Sequence, residues 1–230
     1  MKEKAIIILS GGLDSATTLF KAIGIYEVLL ALTFDYGQRA AQKEIAAARA
    51  LCEIKKIPHQ VLEFPWLAQL THTSLVNRNQ EIPKIKEHAL DDLRITSDSA
   101  KAVWVPNRNG LFIHVAACFA DQRGASVILT GFNREEAITF PDNSEEFVKT
   151  VNQSLFYSTQ VHARVESLTQ SMSKEEIVRE AMQLHLPFEK LWSCYEGGEN
   201  RCGLCESCLR ILRAYRKAGV KNVFFTHQMD

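Results

Sequence analysis

The stretch Ile6-Ile7-Ile8-Leu9-Ser10-Gly11-Gly12-Leu13-Asp14-Ser15-Ala16-Thr17-Thr18-Leu19 decides how this chain folds. A run of β-branched and apolar residues ends in two glycines, and an Asp-Ser pair then opens an amphipathic segment. That is the pattern of a buried strand, a tight turn and a helix N-terminus. Gly11 and Gly12 allow the backbone to turn where a Cβ would clash, and to approach a ligand closely. The unpaired N–H groups and the dipole of the new helix make an anion site, to which Ser10 and Ser15 add hydroxyls. The plainer alternative is a strand-to-helix turn with Asp14 or Ser15 as an ordinary N-cap.

Two absences narrow the choice. A P-loop ends in Gly-Lys-Ser/Thr, and here no lysine follows the glycines before Lys21. The dinucleotide fingerprint needs a third glycine, and Ser15 stands in its place. What remains, Ser-Gly-Gly-Leu-Asp-Ser after a strand, resembles the pyrophosphate loop of the N-type ATP pyrophosphatases. That superfamily cleaves ATP between the α- and β-phosphates and adenylates a substrate oxygen.

Working outward, the chain has 230 residues, 46% hydrophobic and 23% charged, which suits one globular α/β domain with a small appendage. Lys+Arg and Asp+Glu both number 27, so no overall positive excess points to nucleic acid. No apolar run approaches the ~18 residues of a membrane helix. The short apolar start is unlike a signal peptide, and a cytoplasmic protein with reduced thiols is expected.

Tyr26–Phe34 predicts a second buried strand ending in Asp35-Tyr36-Gly37-Gln38-Arg39, Arg39–Lys55 a helix, and His59–Glu63 a third strand. Alternating strands and helices imply a doubly wound, mainly parallel sheet with ligands at the carboxyl ends of its strands. Residues 71–100 break the alternation. They are polar, lack a clear period, and are expected to form an insertion or lid. Val103-Trp104-Val105-Pro106-Asn107-Arg108-Asn109-Gly110 then leads into an apolar helix, Leu111–Gln122, placing Arg108 in a loop as a planar fork for phosphate oxygens. Cys52 and Cys118 are expected in the core. After a fourth strand, Ser126–Thr130, the loop Gly131–Ser144 holds Asn133, Arg134, Glu135, Glu136, Phe140, Pro141 and Asp142, a combination suited to a substrate pocket. Ser144–Tyr157 reads as a helix that Asp142 or Asn143 could cap, and Ser173-Lys174-Glu175-Glu176 is a capping box opening the helix Glu175–His185.

Four of the six cysteines, Cys194, Cys202, Cys205 and Cys208, fall within fifteen residues. Four thiolates at this spacing suit a closed tetrahedral structural zinc site. An iron–sulfur cluster and a redox dithiol are the alternatives. Arg201, Arg210, Arg213, Arg216 and Lys217 surround them and either solvate the last helix or present a basic face to RNA. The expected layout is a nucleotide domain over 1–190 and a zinc-binding region over 191–230.

Ser-Gly-Gly-Leu-Asp-Ser, Asp-Tyr-Gly-Gln, Val-Pro-Asn-Arg-Asn and the four-cysteine tail occur in one order over nearly the whole chain. Together they resemble the 7-cyano-7-deazaguanine synthase family, with its adenine nucleotide alpha hydrolase-like fold. The resemblance implies conversion of 7-carboxy-7-deazaguanine and ammonium to the nitrile at the expense of ATP, with one zinc, Mg²⁺ and a homodimer. It implies that Leu9, Ser10, Gly11, Gly12, Leu13, Asp14, Ser15, Ala16, Thr17, Thr18 and Leu19, with Gly37 and Gln38, hold the nucleotide, and that Asp14, Ser15 and Arg108 act in catalysis. Asn133, Phe140, Pro141 and Asp142 would meet the substrate. The loop at 133–144 keeps Pro141-Asp142 but departs from the family pattern elsewhere. A thiolase or an amide-forming ligase of the same superfamily, or a zinc-module RNA-binding protein, are the competing functions.

Overall fold

A computed structural model describes residues 1–220; residues 221–230 of the expected C-terminal region lie outside it. Its strands are β1 (Lys4–Ile8), β2 (Glu27–Asp35), β3 (His59–Glu63), β4 (Val127–Thr130) and β5 (Arg164–Ser167). They form one sheet, ordered β3-β2-β1-β4-β5, with every pairing parallel. The helices are α1 (Leu13–Ile25), α2 (Ala41–Lys55), α3 (Pro65–Leu70), α4 (Leu93–Ala102), α5 (Arg108–Arg123), α6 (Glu145–Ser158), α7 (Lys174–Gln183) and α8 (Glu206–Ala218).

Side chains alternate across a strand, so β1 feeds both faces of the sheet. Ile6 joins a core with Phe34, Ile113 and Leu155, whereas Ala5, Ile7 and Leu9 join one with Leu19, Leu51 and Ile177. The chain runs outward from β1 through β2 to β3, then returns to build β4 and β5 on the other side of β1. The switch in direction therefore lies between β1 and β4, where the loops leave a crevice at the strands' carboxyl ends. The glycine loop and the loop beginning at Gly131 flank that crevice.

Glycine is required where these loops meet. A Cβ built at Gly131 would lie 2.5 Å from the Ser15 nitrogen and 2.7 Å from its Cα. Gly11 has φ +76° and packs against α2, where a Cβ would fall 2.7 Å from the Glu44 carbonyl oxygen. The helix N-cap is Gly12, with no side-chain cap, so neither Asp14 nor Ser15 plays that part.

Several sequence expectations are corrected. Residues 71–100 hold a short 3-10 turn, Glu87–Asp91, and most of α4, whose N-cap is Asp92. That helix escapes detection because it buries Thr96, Ser99 and Ala100 and exposes Leu93 and Ile95. The β5 strand was also missed; only Val165 of its four residues is fully buried. Cys52 is in the core, but Cys118 is exposed on α5 and donates to the His114 carbonyl. Ser144 is the cap of α6, accepting from Phe147 N at 3.1 Å, so Asp142 and Asn143 are not.

Gly131→Ala is expected to destabilise the fold by about 2 kcal/mol, as overpacking does when backbone must move. Gly24→Ala, within α1 and with nothing inside 4 Å of the new methyl, should stabilise it by about 0.5–1 kcal/mol. Urea titration of both variants checks the contrast; a harmless Gly131 variant would contradict the close approach.

Candidate active site

The crevice opens into a cavity of about 250 Å³ lined by both loops and by residues from α2, α5, α7 and the cysteine-rich tail. On its floor the Ser10 and Ser15 hydroxyls lie 3.0 Å apart, and Ser15 donates to the Gly12 carbonyl at 3.3 Å. The Gly12 and Leu13 N–H groups are held only at 3.4 Å, by the Ser10 and Ser193 hydroxyls. Long bonds of this kind are readily exchanged for an anion at a helix N-terminus. Trp192 N donates to the Gly11 carbonyl at 2.9 Å, so the tail is tied directly to the loop.

Beside the floor sits a buried ion cluster. Lys174 Nζ donates to Asp14 Oδ2 and, at 2.6 Å, to Glu136 Oε1. Its side chain is 6% exposed, against 15% for Asp14 and 33% for Glu136. Burial raises the Asp14 carboxyl to about 6, with Lys174 pulling the other way. Burial also opposes ionisation of Glu136, but the charge of Lys174 overrides it and the carboxyl lies below its ordinary value. Lys174 itself is raised: burial would discharge it, and the two carboxylates outweigh that cost.

The opposite wall is aromatic and carries Arg108. Its Nη1 donates to the Tyr36 hydroxyl at 3.1 Å, and Tyr36 and Phe112 pack with ring centroids 5.7 Å apart. Burial raises the Tyr36 hydroxyl, which keeps the phenol protonated beside the guanidinium. Glu44, from the first turn of α2, lines the same wall.

Of the sequence-derived residues, Leu9, Ser10, Gly12, Asp14, Ser15, Arg108 and Phe140 line the cavity. Gly11 and Leu13 shape the turn beneath it, while Ala16 and Leu19 are core. Thr17 bonds the Leu13 carbonyl and Thr18 faces Thr169. Gly37 and Gln38 are not among the lining residues. Gly37 has φ +84° and packs on Ala68, and the Gln38 amide bonds Phe34, Tyr36 and Glu44. Asn133 is buried, accepting from Glu136 N; Phe140 and Asn143 line the wall, and Asp142 between them in sequence is half-buried within electrostatic reach of Arg108. Arg134 points away to Glu176. Lys174, Glu44, Ser193 and Tyr195 were missed: the capping box explained Lys174 as helix chemistry, and no local pattern marked the others.

Behind Ser193 the four cysteine sulfurs lie within 4.8 Å of one another. A tetrahedral ion with bonds of about 2.3 Å needs sulfurs about 3.8 Å apart, and Cys202 and Cys208 stand 3.9 Å apart. Backbone N–H groups of Cys202 and Cys205 donate to the sulfurs of Cys194 and Cys202 at 3.3 Å, a polarity that favours thiolates. The cluster could hold a metal ion.

The queuosine biosynthesis protein QueC family model matches residues 4–219. The chain is 50% identical over 218 residues to the 7-cyano-7-deazaguanine synthase of Pelotomaculum thermopropionicum, covering 95% of this chain and 99% of the relative. It is 46% identical over 222 residues to the synthase of that name from Methanosarcina mazei, covering 95% and 96%. Among solved structures, a 4-thiouridine synthetase–RNA complex with bound ATP aligns with TM-score 0.50 at 14% identity, over 94% of this chain and 50% of that one, a likeness of fold alone. The glycine loop, the ion cluster and the four cysteines thus belong to an enzyme, and the chain is a member of the queuosine biosynthesis QueC family.

Proposed function

We propose that this chain converts 7-carboxy-7-deazaguanine and ammonium to 7-cyano-7-deazaguanine, with ATP cleaved to AMP and pyrophosphate, as an ATP-dependent ligase forming a C–N bond. The observation that carries the reading is the weakly held N–H and hydroxyl group at the start of α1, open to a cavity beside Lys174. A carboxylate is a poor electrophile, so attack of its oxygen on the α-phosphorus provides a leaving group. Ser10, Gly12, Leu13 and Ser15 would retain the departing pyrophosphate. Arg108 would meet oxygens of the α-phosphate across the cavity. Ammonia then displaces AMP to give an amide, and a second activation of the amide oxygen permits loss of water to the nitrile.

Asp14, Glu44 and Glu136 outnumber Lys174 and Arg108 along the wall, so a triphosphate entering here needs added cations. Mg²⁺ would supply that charge, and Asp14 and Glu136 are the carboxylates placed to share it. Zinc is the proposed ion at Cys194, Cys202, Cys205 and Cys208, structural because four thiolates leave no open position. Phe140, Pro141, Asn133 and Asp142 are proposed for the deazapurine, with Asp142 accepting from the N1–H and 2-amino edge. A cytoplasmic homodimer is the proposed state, on the resemblance alone.

Three experiments test the reading. Asp14→Asn should abolish formation of AMP and pyrophosphate while circular dichroism stays native; ADP as the product of the wild-type enzyme would refute direct adenylation. Metal analysis should give one zinc per chain, lost with any Cys→Ser change in the cluster and at acid pH as thiolates protonate; stoichiometric iron would refute it. Asp142→Asn should raise KM for the deazapurine about tenfold to a hundredfold, the value of a hydrogen bond to a charged group, with KM for ATP unmoved. A stability loss without that kinetic change would return Asp142 to a purely structural role.

A further inference from the structure

Glu44 has no part in the chemistry assigned so far, yet it lines the reaction cavity together with Tyr36, Arg108 and the loop serines. Its Oε2 accepts from Gln38 Nε2 at 2.8 Å. That amide cannot swing away, because Nε2 also donates to the Phe34 carbonyl at 3.0 Å and Oε1 accepts from Tyr36 N at 2.9 Å. Glu44 is thus held in place through one oxygen. Among the described residues no Lys, Arg or His forms an ion pair with it, and no side chain donates to its other oxygen. The neighbouring charges are Asp35, which adds to the negative field, and Arg108, whose Nη1 is given to the Tyr36 hydroxyl. Burial, the larger effect, leaves the Glu44 carboxyl above its ordinary value. Glu44 is half-buried and lines the cavity, so a cation pairing with it would come from there.

The participants of the proposed reaction differ sharply in what they offer such a group. The nucleotide is anionic. The deazapurine edge presents two parallel donors, for which Asp142 is already proposed. Ammonium is small, carries a full positive charge, and can give one N–H to a single oxygen.

On the functional reading above, we infer that Glu44 binds ammonium and accepts its proton, releasing the ammonia that attacks the adenylated carboxyl. The proton moves from nitrogen to the Glu44 carboxylate, leaving a lone pair. That pair forms the C–N bond at the acyl carbon. The C–O bond to the α-phosphate breaks, its electrons leave with AMP, and the nitrogen gives its surplus proton to solvent.

The test uses the full-length enzyme and two assays, deazapurine-dependent ATP–pyrophosphate exchange for adenylation and amide formation for nitrogen transfer. Glu44→Gln should keep the exchange while kcat/KM for ammonium falls about a hundredfold, the low end of what a positioned general base contributes. Hydroxylamine, already neutral at physiological pH, should restore acyl transfer in the variant towards the wild-type rate, which a merely structural role would not predict. Unchanged kcat/KM for ammonium, equal losses with both nucleophiles, or a shift in KM for ATP or Mg²⁺ instead would each overturn the assignment. Should Glu44→Gln fail to fold, Glu44→Ala removes the carboxylate instead, and wild-type kcat/KM for ammonium there would overturn it equally. If the wild-type enzyme shows no deazapurine-dependent exchange, the functional reading itself falls; if it does and ammonium kinetics are insensitive to Glu44, only this assignment falls.

Discussion

One buried ammonium group organises the site. Lys174 opens α7, and its two partners come from different segments, Asp14 in the first turn of α1 and Glu136 in the stretch after β4. A buried charge is tolerated only when paired, and removing one partner leaves an uncompensated ion. The three segments are therefore interdependent, and the crevice between β1 and β4 holds its shape through them. Burial is the larger reason that the Asp14 carboxyl is raised, to about 6, and the neighbouring Glu136 adds to it while Lys174 pulls the other way. A carboxyl raised in the folded state favours the fold at acid pH, and that contribution is lost as pH rises through about 6. At neutral pH the ionised Asp14 works against stability.

The same economy explains why a metal-type cluster lies so far along the chain from the glycine loop. Trp192, Ser193 and Tyr195 form part of the cavity wall and flank the first cysteine of the cluster, Cys194. Trp192 bonds Gly11, Ser193 holds Leu13, and a Cβ at Gly197 would collide with the Arg39 carbonyl. Arg39 in turn pairs with Glu196 at 3.2 Å and donates to the Asn77 carbonyl at 2.9 Å. An ion holding the four sulfurs would fix this tail, and with it one wall of the site, without touching a reacting atom.

How much of this was legible beforehand follows from the range of the forces involved. The β1 loop could be read because strand, turn and helix start are local, and the absence of a lysine and a third glycine excluded its rivals. The cysteines were legible because ligand spacing is itself local. Lys174 was not, since its capping-box neighbours gave a sufficient local reason for the residue types there, and its ion pairs span 160 and 38 positions. Gln38 takes on a second reading in the fold. A polar residue at a strand's carboxyl end reads as a ligand contact, but its amide is used up inside the wall as the brace for Glu44.

The arginines of α8 show the same limit most clearly. In sequence they form a basic stripe that suits either solvent or RNA. In the fold Arg213 reaches Asp91 at 2.7 Å, Arg216 pairs with Glu87, and Arg210 pairs with Glu206 on its own helix. Asp91 and Glu87 belong to the 71–100 segment expected to form an insertion or lid, so neither half of the pairing could be read from its own stretch of sequence. The exposed pairs contribute little energy, since Asp91 is 80% exposed. Their effect is positional: together with the backbone bridge between Lys84 and Cys205, they hold the 71–100 segment against the cysteine helix. A chain with no net charge can carry a basic helix and still leave little of its charge for a polyanion, because the opposing charges stand across from it in the fold.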